Sequence, residues 1–133
     1  MSVLFNLAKC HVMHIGHGLA PTYNLKSGTV TKQLAETEEE RDLGVYITAD
    51  LKWETQCQKA SSKAMSVLGM VKRSFGCMDY DSFIILYSTY IRPHLEYCVQ
   101  AWAPYYRKAI DCLEKVQRRA TKLVKGLKHV DYE

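Results

Sequence analysis

The sequence predicts an α+β fold: a small N-terminal β-hairpin module followed by a three- to four-helix thumb-like bundle. Two observations carry the class. Up to Asp50 the apolar residues come in short alternating runs broken by Gly and Pro, the period-two pattern of strands and turns. After Asp50 they recur at spacings of three and four, the stripe of an amphipathic helix. Size sets the scale, because 133 residues is about one domain. An apolar fraction of 47% is that of a chain with a core and excludes the disordered class.

The elements follow in order. "CHVMHIG" (Cys10–Gly16) alternates as a strand, with Val12 and His14 on one face and His11, Met13 and Ile15 on the other. "GHGLAPTYN" is loop punctuation. "YNLKSGTVTKQL" reads as two short strands around a turn at Ser27-Gly28. "ETEEERD" (Glu36–Asp42) is an acidic run with the character of a solvated turn, and "LGVYIT" (Leu43–Thr48) is a strand. The stripe Trp53, Cys57, Ala60, Ala64, Val67, Leu68 and Val71 predicts a helix of some twenty residues, capped by Thr48 or Asp50 and stopped near Gly76. A second helix starts near Asp79–Ser82, and Pro93 either kinks it or opens the next. "HLEYCVQAW" continues helical to Pro104, and a last helix runs from about Arg107 to Lys125, ending at Gly126. The predicted division is 1–50 for the β module, 51–128 for the helical region and 129–133 for a tail.

Charge is unevenly placed. Residues 1–66 hold seven Lys/Arg and seven Asp/Glu, so the net charge of +4 lies wholly in the second half. A basic half points weakly to polyanions. The five cysteines are odd in number, widely spaced and without a C-x-x-C pair. That argues against a disulfide scaffold and for reduced, mostly core thiols in an intracellular protein, cytoplasmic or nuclear. No run approaches the roughly 20 apolar residues of a membrane span, and the N-terminal apolar run is too short for a signal peptide, so no membrane partner is expected.

Candidate chemistry is sparse. Cys10, His11, His14 and His17 are zinc-ligand types. On a strand, however, Cys10 and His14 point away from His11 and His17, so an ordinary strand is expected and no metal site. There is no G-x-S-x-G elbow, no H-E-x-x-H and no phosphate loop, and the acidic run makes a poor Mg²⁺ site. Trp53, Trp102 and most tyrosines read as core. "PYYRK" (Pro104–Lys108) sets two aromatics beside Arg107 and Lys108, a plausible phosphate-and-base contact.

On the last helix, Ile110, Leu113, Val116, Ala120, Leu123, Val124 and Leu127 fall in one arc of roughly 140°. Lys115, Arg118, Arg119, Lys122 and Lys125 fall opposite. Asp111 and Glu114 near the start and lysines near the end suit the helix dipole, which accounts for part of the pattern. An unbalanced cationic row repels itself unless a polyanion or an acidic partner neutralises it. The helix alone supports both a polyanion face and a solvated face. Lys72 and Arg73, ending the first long helix, add a second cationic spot.

Taken together, "FNLAKCHVMHIG", "ERDLGVYITADLKW", "KAMSVLGMVKRSF" and "LYSTYIRPHLEYCVQAWAPYYRKAIDCLEKVQRRATKLVKGL" resemble the C-terminal part of non-LTR, LINE-type reverse transcriptases of the jockey and chicken-repeat-1 kind. The elements that carry it are N-x-x-K-C, D-L-G-V before L-x-W, R-P-x-L-E-Y, W-x-P and L-E-x-V-Q-R-R-A-T, in order along almost the whole chain. The resemblance implies a palm edge over the β module and a thumb over the helices, the region that holds the template–primer duplex. Polymerisation in that family needs a metal-binding aspartate pair in the palm. No Asp-Asp pair occurs here. The expectation is therefore a truncated piece of an RNA-directed DNA polymerase, inactive alone, with no catalytic residue and no cofactor of its own, Mg²⁺ belonging to the full-length enzyme. Its partners by resemblance are RNA or an RNA/DNA duplex and the remainder of the polymerase. The phosphate contacts would be Lys72, Arg73, Arg107, Lys108, Arg118, Arg119, Lys122 and Lys125. Two other readings stand beside it: a protein-interaction module docking its basic helix on an acidic partner, and a decayed fragment without function.

Overall fold

Small residues decide how the helices pack. The first long helix, α1 (Glu54–Phe75), buries Cys57, Ala60, Ser61 and Ala64 at helical spacing. The last, α5 (Arg107–Thr121), buries Ala109, Val116 and Ala120. With so little side chain between them the two backbones approach closely. The Ser61 hydroxyl donates to the Cys112 carbonyl at 3.0 Å, and the Cys112 thiol donates to Ser61 Oγ at 3.2 Å. The core continues through Leu68, Val71, Phe83, Ile91 and Leu95.

The structure is a computed structural model, and it describes residues 4–19 and 21–127. The expected tail at 129–133, with His129, and the Lys128 that ends the expected helical region lie outside them. The chain divides into two units, one up to Lys52 and one from Trp53, and the fold is α+β.

Among its described residues the first unit holds three separate strand pairs. A 3₁₀ turn (Leu7–Lys9) leads into β1 (His11–Val12), which pairs in parallel with β4 (Ala35–Glu36). The expected strand over Cys10–Gly16 is thus two residues long; it reaches only as far as β4 offers backbone partners. The antiparallel pair β2 (Asn24–Ser27) and β3 (Val30–Gln33) closes over Gly28-Thr29, one residue later than expected. Gly28 takes φ +62 at the first turn position, which a side chain resists. The pair β5 (Glu39–Asp42) and β6 (Val45–Thr48) is the larger correction. Five of the seven residues of the acidic run lie in strands, Glu36 in β4 and Glu39–Asp42 in β5, and Leu43-Gly44, expected to begin a strand, is the turn. Both turn residues have positive φ, +46 and +86, the arrangement whose twist matches antiparallel strands. Glu36, Glu38, Glu39 and Asp42 are exposed and Glu40 lies against His11, so their charge does not oppose pairing. Val45 is the one buried residue among those described in this unit.

In the second unit, α1 has the expected length and stop: Gly76, at φ +65, donates its N–H to the Lys72 carbonyl at 2.9 Å. Its expected caps are engaged elsewhere. Thr48 Oγ1 lies 2.7 Å from Asp50 Oδ1, Asp50 accepts the Lys52 N–H, and Trp53 occupies the N-cap without a side-chain bond. Asp79 does cap α2 (Tyr80–Leu86), accepting the Ser82 N–H at 3.4 Å.

Pro93 has no N–H to give, and the helix before it opens into a π turn over Tyr87–Ile91, in which the Arg92 N–H reaches back to Tyr87. After α3 (Arg92–Glu96) the chain breaks at Cys98, φ +52, before α4 (Val99–Trp102). The expected continuous helix fails there because the break lets the fully buried Trp102 indole donate to the Tyr97 carbonyl at 2.6 Å.

Helix α5 ends four residues before the expected Lys125. Beyond Thr121 the chain turns and bonds to Met78: the Met78 N–H donates to the Leu123 carbonyl and the Lys125 N–H to the Met78 carbonyl at 3.0 Å. That pairing buries Leu123 and Val124 and leaves Leu127 exposed. Among the described residues no helix is long and apolar enough to cross a membrane.

Candidate nucleic-acid interface

The ends of α1 and α5 lie side by side, and the groove between them has a volume of about 740 Å³. Lys72 stands on one wall; Arg119 and Lys122 stand on the other. Met65, Leu68 and Leu123 make an apolar floor, and Gly69 leaves the α1 wall without a side chain. Among the described residues none of the three cations has a carboxylate within ion-pair reach. Among the described residues, the one side-chain bond of Arg119 is to sulfur, with Nη1 3.6 Å from Met65 Sδ. Arg73 folds back along α1, its Nη1 3.8 Å from where a Cβ on Gly69 would sit, and it does not line the groove.

The other expected contacts are placed differently. Arg107 pairs with Asp111 at 3.0 Å and Arg118 with Glu114 at 3.0 Å, both one helical turn apart. Lys108 crosses to Glu54 on α1 at 3.2 Å. Lys125 lies past the end of α5, where its charge helps hold the Asp79 carboxyl below the usual range, behind the larger effect of the Ser82 hydrogen bonds. The single cationic helix face drawn from the sequence is therefore three separate places: a groove of unneutralised charge, a set of ion pairs, and a lysine on the following turn. In "PYYRK" the exposed Tyr105 and Tyr106 rings lie against each other, centroids 4.3 Å apart, with both neighbouring cations ion-paired.

No family model, curated protein or solved structure matches the chain. What the site can do rests on its own geometry.

Sequence reasoning missed the groove's floor and its glycine wall. Gly69 was the available signal, since a glycine inside an otherwise regular helix is unfavourable by about 1 kcal/mol against alanine and asks for a reason.

The histidine cluster does not gather. His11 pairs with Glu40 at 2.9 Å, His14 stacks on Tyr23, and among the described residues no three ligand side chains converge on a metal-sized space. The thiols correct another expectation: Cys57 is buried, Cys10 and Cys112 are half-buried, and Cys77 and Cys98 are exposed. Burial, with smaller help from Cys112 and Glu54, pushes the Cys57 thiol up to about 11, so it is unreactive near neutrality.

Proposed function

We propose that this chain binds the sugar–phosphate backbone of nucleic acid as part of a non-LTR, LINE-type reverse transcriptase, with RNA or an RNA/DNA duplex as its ligand. One observation carries the binding: Lys72, Arg119 and Lys122 converge from two helices on one groove with no acidic partner among the described residues. Like charges brought together at a surface are stabilised when a polyanion lies between them. The ordered motifs from Asn6-x-x-Lys9-Cys10 to the Leu113–Thr121 block support the family. The proposal assigns no catalysis and no cofactor to these residues, Mg²⁺ being for an aspartate pair that the sequence lacks; the compartment would be that of the nucleic acid, inside the cell.

The test is binding of a labelled RNA/DNA duplex across a salt series. Affinity should fall linearly in log–log terms as salt rises, and Arg119→Glu with Lys122→Glu should abolish it. Binding untouched by those two changes would remove the proposal. A second reading, docking on an acidic protein, draws on the apolar floor under the cations. Partners that survive nuclease treatment would favour it.

A further inference from the structure

We infer that the α1–α5 groove takes an unpaired nucleic-acid strand, not the outer surface of a duplex; this rests on the nucleic-acid reading above and names the form of ligand. Three features of the groove argue for it.

The first is depth. A duplex offers its phosphates on a convex rod with the bases stacked inside, so it would meet the rim cations and leave the floor empty. The floor is apolar, made by Met65, Leu68 and Leu123. A base or sugar reaches such a floor only when the strand is unpaired.

The second is Arg119. Its guanidinium is held against the Met65 sulfur at 3.6 Å, with no carboxylate on it among the described residues. A flat guanidinium at a groove edge is a surface on which a base stacks while Lys72 and Lys122 take the flanking phosphates.

The third is Gly69. It sits within α1, where glycine weakens a helix. Packing against the protein does not explain it, because a Cβ there would meet nothing closer than Arg73 Nη1 at 3.8 Å, an ordinary contact with a flexible side chain. The room kept by the missing side chain belongs to the groove, and it lets a ligand approach the helix backbone.

The experiment compares the full chain on a fluorescent single-stranded oligouridylate and on a blunt RNA/DNA duplex of equal phosphate number, at one salt concentration. The single strand should bind about tenfold tighter, the worth of one stacked base. Gly69→Leu, which fills the groove and suits a helix, should remove the preference for the single strand; circular dichroism checks its fold. If the duplex binds as tightly as the single strand, this inference is overturned and the nucleic-acid reading stands. If neither binds while an acidic peptide does, both are overturned. The wild-type comparison decides even if the leucine variant does not fold.

Discussion

The Arg119 guanidinium lies against the Met65 sulfur, 3.6 Å from Nη1 to Sδ, and this contact joins α5 to α1 at the edge of the groove. Its neighbour Arg118 instead reaches Glu114 on its own helix. Two adjacent arginines thus carry different work. Arg119→Gln should weaken binding by about tenfold, the worth of one stacked base, and lower the slope of log affinity against log salt by up to about one through the lost positive charge. Arg118→Gln should leave the slope nearly unchanged. Fluorescence anisotropy on one oligonucleotide across a salt series measures both, and equal effects would contradict the division between groove and ion pairs.

Trp102 is fully buried and bonded to the Tyr97 carbonyl. Trp102→Ala should destabilise the helical unit by about 3–5 kcal/mol, the range for an aromatic removed from a core. Urea unfolding followed by circular dichroism at a helical wavelength reads the shift in midpoint. A loss under 1 kcal/mol, on the order of an exposed site, would refute this packing.

Leu43 holds φ +46 in the β5–β6 turn, a conformation that costs a leucine roughly 1–2 kcal/mol. Leu43→Asn creates Asn-Gly, the preferred pair for this turn, and should stabilise the hairpin by about 1 kcal/mol. Slower amide exchange at Glu39–Asp42 and Val45–Thr48 is the expected readout, and faster exchange would be the contrary result.

Asp79 caps α2, and hydrogen bonds from Ser82, aided by the Lys125 charge, lower its pKa in the folded chain. A group with a folded pKa below its unfolded value stabilises above the unfolded value and loses that contribution as pH falls through the folded one. The urea midpoint should therefore drop on acidification below about pH 4, the ordinary aspartate range. Asp79→Asn keeps a good cap and should flatten that part of the profile. An unchanged acid limb in the variant would assign it to other carboxylates.

Cysteine reactivity is a further check. At neutral pH Cys77 and Cys98 should alkylate first, and Cys57, buried with a thiol pushed to about 11, should react only on unfolding. Peptide mapping after a short iodoacetamide pulse distinguishes them. Early labelling of Cys57 would place it outside the core.

Much of the helical unit was legible from local pattern. The stripe from Cys57 to Val71 is a property of α1 alone, and Gly76 stops it because its positive φ is one that glycine adopts readily. The i,i+4 partners of Arg107 and Arg118 could also be counted off the chain. Leu43 could not be read: nothing in a leucine announces positive φ, and β-rich neighbours pull it toward a strand. The break at Cys98 was equally silent, since it serves the Trp102–Tyr97 bond.

The cationic groove separates the two kinds of information most clearly. By itself the sequence determined that positive charge gathers in the second half, that α1 and α5 are amphipathic, and that the fold is α+β, because composition and period are carried by short stretches of chain. Only the tertiary structure decided which cations meet. Close packing of small residues on α1 and α5 brings Lys72 beside Arg119 and Lys122, and backbone bonds to Met78 end α5 early and carry Lys125 elsewhere. The physical reason is that both outcomes depend on partners far away in the chain, whose hydrogen bonds and buried surface override the local helical preference of "VQRRATKLVKG".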